Sequence, residues 1–310
     1  MEKPIHISER LELFVDRFLI NTMDKIEFQL HEPQRLALPK TPFRGAYMTV
    51  IKDGDIYRGY YRGDDPAYPG PRNYSGHPGE ITCYAESRNG HEWTFPSIGL
   101  FDVNGTRSNN VILAKQPPLS HNFSPFLDTR PGVDQNERFK ALAGHPGFDR
   151  KKLDGLHSFA SPDGIHWKKT SNEPVIPYQQ SWSHAFDSQN VSFWSESEQL
   201  YIAYFRTWTH YRANPGESPE LHRESGWGLR SISRVTSHDF KNWSDPVAMH
   251  PNMQDEHLYT SQTHPYYRAP HIYVALPSRY VAGRVGAETR DAMQGSTDIL
   301  FMASRAGTTH

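Results

Sequence analysis

Acidic and basic side chains recur at equivalent points of this sequence. Asp187 opens the run Asp187-Ser-Gln189-Asn190, and Glu256 opens Glu256-His257. Arg62 and Arg206 close two apolar runs, Ile56–Arg62 and Leu200–Arg206, at matching positions. Glu80, Asp154 and Arg230 begin three further runs, and His121-Asn122 precedes Phe123. Two carboxylates flanking a bond can cleave it: one protonates the leaving atom while the other activates water or attacks. Glu256 is therefore expected as the general acid. Asp187 is expected as base, as nucleophile, or as the carboxylate that tunes the acid. Arginine's planar fork suits a substrate carboxylate or sulfate, and equally suits pairing with those acids. Both roles stay open for Arg62 and Arg206.

Such residues act together only if the fold brings them together, and a repeat says how it does. Ser87-Arg-Asn-Gly-His-Glu-Trp93, Ser161-Pro-Asp-Gly-Ile-His-Trp167 and Ser237-His-Asp-Phe-Lys-Asn-Trp243 share one form, their serines 74 and 76 residues apart. A partial copy ends in Ser304-Arg-Ala-Gly307. Asp or Asn followed by Gly suits a two-residue hairpin turn with positive φ angles. The Trp after it can pin the turn between neighbouring sheets. Each copy follows a strand-like run, and each unit reads as four strands, A to D, with the turn joining C to D.

Four antiparallel strands repeated radially are the blade of a β-propeller. The expected fold is all-β: a five-bladed β-propeller of four-stranded antiparallel blades, truncated in or after the fourth blade. The whole chain, 1–310, is expected as a single domain. Its blades fall at about 45–95, 121–170, 185–245 and 257–310, and an apolar strand at about 11–20 closes the ring. In a blade the start of A, the end of B and the start of C share one end, the mouth, and the signature turns lie at the other. A strands line the channel, so Asp187 and Glu256 converge there. The substrate-binding set expected around them is Arg62, Glu80, His121, Asn122, Gln189, Asn190, Arg206, His257 and Gln262. Asp16 is a further candidate acid, equally suited to a structural role; strand-start caps, solvated loop charges or a satisfied channel histidine are the plain alternatives for the rest.

Composition removes other classes. Lys+Arg 33 against Asp+Glu 35 gives no bulk charge for nucleic acid or anionic lipid. Mean hydropathy is −0.73, and no apolar run approaches the roughly 20 residues of a span. The single cysteine, Cys83, rules out an internal disulfide framework. The 17 His are scattered, not set at metal-ligand spacings, so no cofactor or metal is expected; a structural Ca²⁺ or other ion would fit a channel, though no motif indicates one. The N-terminus has no secretory pattern, which implies a cytoplasmic location, or a secreted or periplasmic one if a signal has been removed.

A mouth of carboxylates, arginines, histidines and aromatic rings suits a carbohydrate partner. The same residues resemble a known group. Leu13-Phe-Val-Asp-Arg-Phe-Leu-Ile20, His121-Asn-Phe-Ser-Pro-Phe126, Ala185-Phe-Asp-Ser-Gln-Asn190 and Tyr266-Tyr-Arg-Ala-Pro-His271 look like bacterial proteins similar to the N-terminal propeller of glycoside hydrolase family 32. The wider group includes families 43, 117 and 130. The resemblance implies a glycosidase working by carboxylate acid–base catalysis in the central pocket. Alternatives are a phosphorylase like family 130, with Arg62, Arg206 and His121 holding phosphate, and a non-catalytic sugar-binding propeller. The chain lacks the Asn-Asp-Pro-Asn-Gly, Arg-Asp-Pro and Glu-Cys stretches of family 32 invertases, so fructan hydrolysis is not implied. Phe43-Arg-Gly-Ala-Tyr47 also lacks the family 43 aspartate of the first inner strand.

Overall fold

The computed structural model describes residues 4–34, 43, 46–145, 154–179, 185–209, 229–249, 251, 256–282 and 295–308. Unit one is an antiparallel sheet of β1 (Ala46–Asp53), β2 (Ile56–Asp64), β3 (Glu80–Ser87) and β4 (Val111–Leu113), paired in that order. Unit two repeats the plan with β5 (Ser124–Leu127), β6 (Phe139–Ala143), β7 (Gly155–Ser161) and β8 (Lys168–Lys169), with β9 (Ile176–Pro177) also on β7. Unit three has β10 (Val191–Ser195), β11 (Leu200–Thr209), β12 (Leu229–Ser237) and β13 (Val247–Met249).

Unit four is divided. One part pairs β14 (Glu256–Leu258), β17 (Ser278–Ala282) and β18 (Gly295–Ile299); the other pairs β15 (His264–Tyr266), β16 (Ala269–Ala275) and β19 (Met302–Arg305). The register carries across the division: Ala275 faces Met302 and, three residues on, Ser278 faces Ile299. These are halves of three bent strands. Pro277, with no N–H to give the ladder, stands at the break, and Leu300 N bonds its carbonyl at 3.1 Å.

The third strands of units one to three run largely inside: every residue of β7, nearly every residue of β3 and most of β12. That burial requires a sheet on each side. The first strands pack side by side in sequence, β1 on β5, β5 on β10 and β10 on β15. This is a β-propeller, as the repeat implied.

The signature turns sit at the closed end. In all three, the serine Oγ accepts from two main-chain N–H groups and donates to the Asp or Asn two residues on. That residue's Oδ1 accepts from two further N–H groups. The expectation of two positive φ angles is corrected: only the next position is left-handed, Gly90 at 76° and Gly164 at 75°. The Asp or Asn acts as an acceptor. Trp93 and Trp167 donate to the carbonyls of those glycines. Trp167 packs between units one and two, its ring 6.3 Å from Tyr60 and 4.9 Å from Phe123. In the third copy Phe240 takes the glycine's place at φ 63°, and its ring is buried against Phe126, Tyr201 and Trp243.

The A–B turns stitch neighbouring units together. Asp53 binds Arg58 of its own unit and Arg138 of the next. Asp128 takes Lys140 and the Tyr201 hydroxyl, and Glu198 takes Arg234 and the Tyr273 hydroxyl.

Residues 11–20 form no strand, which corrects the expected ring-closing element. The Asp16 carboxylate accepts from Phe18 N, and Ile20 N closes on Arg17 O, so a turn interrupts the apolar run. The segment still docks on unit four, with Glu12 and Asp16 held by Arg305 and Glu12 by His271.

Burial works to raise the Asp163 carboxyl, but bonds from His166, Ile165 and Ser161 outweigh it and hold the group well below the ordinary range. A depressed carboxyl stabilises the fold above its unfolded pKa of about 4, and that contribution is lost as pH falls. Asp163→Ala is expected to cost about 1–2 kcal/mol in urea unfolding at pH 7. Asp163→Asn, which reproduces the Asn89 turn, is expected to be near neutral at pH 7 and to lose less stability than wild type below about pH 4. An Asn variant as unstable as the Ala variant would refute the acceptor role.

Candidate functional site

The mouth is organised by one amide. Asn122 is fully buried (0% exposed), and its Nδ2 donates to the carbonyls of Phe186 and Ser188, both at 2.9 Å. Its Oδ1 accepts from Gly144 N at 2.9 Å. Three segments are thereby fixed: His121 precedes the clamp, His145 follows Gly144, and Asp187 lies between the two bonded carbonyls. The backbone is strained at two of these points, with Phe186 at φ 68° and Gly144 at φ 147°. A Cβ on Gly144 would meet Gly155 O at 2.0 Å, so only glycine fits. Asn190 Nδ2 reinforces the clamp, donating to the same two carbonyls at 3.1 Å. Asn122 and Asn190, expected as substrate contacts, are both buried, and the Asn122 amide and the Asn190 Nδ2 are bonded to main chain.

The clamp presents Asp187, with 37% of its side chain open. One carboxylate oxygen pairs with Arg206 Nη2, and the other lies 3.5 Å from His145 Nε2. Burial pushes the Asp187 carboxyl up, but His145 and Arg206 outweigh it and hold it far below the usual range. It is therefore ionised at any working pH. Tyr47 feels that charge: burial first, then Asp187, pushes its hydroxyl up to about 12.

Glu80 and His121 form a second pair. His121 Nδ1 donates to Glu80 at 2.9 Å, and Gly76 N donates to the same carboxylate at 3.1 Å. Burial works to raise Glu80, and the His121 bond brings it below the ordinary range. For His121, burial outweighs the pull of Glu80 and lowers it, leaving the ring neutral at pH 7. Arg62 Nη1 donates to the His121 carbonyl at 3.2 Å and lies against the edge of the ring, 2.8 Å from Nδ1 and 3.2 Å from Nε2.

Arginines and rings complete the wall. The Arg62 guanidinium lies 4.7 Å from the Tyr47 ring centre. Arg206 and Arg230 share the Tyr259 ring, at 4.9 and 5.1 Å, and Arg230 also covers Trp208 at 4.5 Å. Arg230 N donates to His257 Nδ1 at 3.1 Å. Burial lowers Arg230, and repulsion from Arg206 lowers it further.

The remaining candidates are each engaged by other parts of the protein. Glu256 is buried at the start of β14, bonded at 2.6 Å by Arg279, which also holds Asp298. Gln189 reaches from unit three to Thr49 Oγ1 of unit one, at 2.7 Å. Gln262 has a left-handed backbone, and its carbonyl meets His264 Nδ1. Asp16 is removed from the candidate acids: it sits on Arg305, beside the B-strand start of unit four and away from the mouth. The connection from β11 to β12 falls outside the described residues from 210 to 228.

His145 was missed. It is the seventh residue from the start of strand B in unit two, as Arg62 and Arg206 are in units one and three. Comparing the three units position by position would have found it.

His121, His145 and Asp187 bring metal-ligand atoms within 4.8 Å of one another. Arg206 and Arg62 already occupy Asp187 and the His121 ring, however. A divalent ion about 4 Å from a guanidinium meets roughly 8 kcal/mol of repulsion at an effective dielectric near 20. Asp187 offsets one guanidinium, and the second remains.

No protein-family sequence profile matches the chain, and no curated protein matches it. Solved structures do. An N-acetylgalactosamine deacetylase from F. plautii, in complex with blood group B trisaccharide, is 12% identical; the match covers 81% of this chain and 69% of that one, with a TM-score of 0.51. An endo-arabinase from Bacteroides thetaiotaomicron VPI-5482 is 10% identical, with 89% and 80% covered and a TM-score of 0.50. The chain shares the β-propeller fold of these two structures.

Asn122→Ala is expected to cost about 2–4 kcal/mol in urea unfolding, because Gly144 N loses its acceptor and two carbonyls lose one of two donors. Asn190→Ala, which touches only the carbonyls, is expected to cost less. Equal losses would show that the bond to Gly144 carries no weight.

Proposed function

We propose that this protein is a glycoside hydrolase acting on an oligo- or polysaccharide at the mouth of its propeller. The observation that carries the reading is Asp187: an ionised carboxylate, partly open and rigidly held where units one, two and three meet. A carboxylate that stays charged suits the base that activates water or the nucleophile that attacks the anomeric carbon. Glu256, at the start of the inner strand of unit four, is the proposed proton donor, and Arg279 fixes its orientation. Two carbohydrate enzymes with this fold, one a deacetylase and one an endo-arabinase, support the substrate class.

The arginines around Asp187 favour one second reading, phosphorolysis, in which Arg62 and Arg206 hold inorganic phosphate as the attacking group. Cleavage that requires added phosphate and releases a sugar phosphate would select it over hydrolysis.

Assay against a panel of aryl glycosides and plant and bacterial oligosaccharides tests the roles. Asp187→Asn and Glu256→Gln are each expected to lower kcat by about a thousandfold or more while unfolding at temperatures close to wild type. If either variant keeps near-normal turnover, that residue does not have the proposed role.

A further inference from the structure

The inner strand of unit one is broken where it meets the mouth. Between the pairs Ala46–Arg62 and Thr49–Tyr60, Tyr47 and Met48 together oppose Tyr61, which makes a β-bulge. Tyr47 sits in it with a left-handed backbone, φ 55°. Glycine suits that conformation, and a bulky aromatic residue in it is strained. Strain of this kind persists only where the surroundings impose it, and it gathers at functional sites. Around Tyr47 the surroundings are tight. The Arg62 guanidinium lies 4.7 Å from the ring centre, and the His121 ring packs against it at 72°, centres 5.7 Å apart. On the next two residues, Gln189 of unit three takes Met48 O and Thr49 Oγ1.

The strain secures no bond for the side chain's polar end. Tyr47 is partly exposed, and its hydroxyl makes no hydrogen bond among the described residues. The other tyrosines of this sheet differ: the Tyr61 hydroxyl accepts from Asn110, that of Tyr84 donates to Glu86, and that of Tyr60 is sealed in the core. Gln189 sets the bulge beside the segment that carries Asp187, and Asp187, Arg62 and Arg206 all act on the Tyr47 hydroxyl through their charges. Burial first, then Asp187, push that hydroxyl up to about 12, so it keeps its proton at any working pH and can donate. Asp187 is ionised and can only accept. A donor and an acceptor therefore stand together at the mouth, and sugar hydroxyls, each both donor and acceptor, match that pair.

We propose that Tyr47 is a substrate-contact residue, whose hydroxyl donates a hydrogen bond to an oxygen of the sugar that Asp187 faces. The bulge aims the side chain, as bulges beside active sites do, and Gln189 keeps it in register with Asp187. A residue that must present one hydroxyl at a fixed point gains from a backbone that cannot relax. The inference rests on the carbohydrate-binding part of the proposed function and needs no turnover.

Urea unfolding, with calorimetric titration of the full chain by the methyl glycosides of D-glucose, D-galactose, D-xylose and L-arabinose, tests it. Tyr47→Phe is expected to keep the wild-type urea midpoint, because the hydroxyl holds nothing inside the protein. It is expected to bind the sugar that wild type prefers about fivefold or more weakly. Tyr61→Phe, which removes a hydroxyl bonded within the protein, is expected to do the reverse: a lower midpoint with sugar affinity unchanged. A midpoint lowered by about 0.5 M or more in Tyr47→Phe would show that its hydroxyl has a partner in the protein, and would overturn the inference. Equal sugar binding by wild type and Tyr47→Phe, or equal weakening in both variants, would overturn it while leaving the carbohydrate reading intact. Failure of wild type to bind any of the four sugars would bring down that reading and the inference with it. Weaker binding by Tyr47→Phe in a protein that cleaves nothing would support the inference and count against the hydrolytic proposal only.

Discussion

The mouth of this propeller depends on a single side-chain amide. Asn122 has no water to fall back on, so its donors and acceptor must be met by protein. It meets them with main chain from two other segments, those carrying His145 and Asp187. The result is a rigid coupling between strands remote in sequence, paid for in backbone strain at Phe186 and Gly144. Side chains on loops are ordinarily placed loosely; here the loops are fastened to the scaffold at the residues next to the chemistry.

Electrostatics divide the molecule along the channel. At the closed end the A–B turns of units one to three each place an acid, Asp53, Asp128 or Glu198, against a cation, and tyrosine hydroxyls of the next unit join two of them. At the mouth the pairs lie within and between units: Asp187 meets Arg206 of its own unit, and Glu80 of unit one meets His121 at the start of unit two.

The repeat made the fold legible. Three Ser-x-Asp/Asn turns gave the four-stranded plan of a unit and the direction of its strands, because a hairpin is a local decision encoded in adjacent residues. Asp187, Arg62 and Arg206 were legible for the same reason, as positions counted from those turns. His145 was not, because a histidine ending Ala143-Gly144-His145 carries no local sign of its partners. Nor were the roles of Asn122 and Asn190, since burial and main-chain bonding are properties of the assembled ring. The Leu11–Ile20 run misled for the opposite reason: its apolar pattern is that of a strand, and one Asx turn at Asp16 overrides it.

Gln189 ties together units that are not neighbours in sequence. Two residues on from Asp187, its amide reaches from unit three to Thr49 and the Met48 carbonyl of unit one, at 2.7 and 3.5 Å. The segment that carries Asp187 therefore answers to unit one as well as to its own blade.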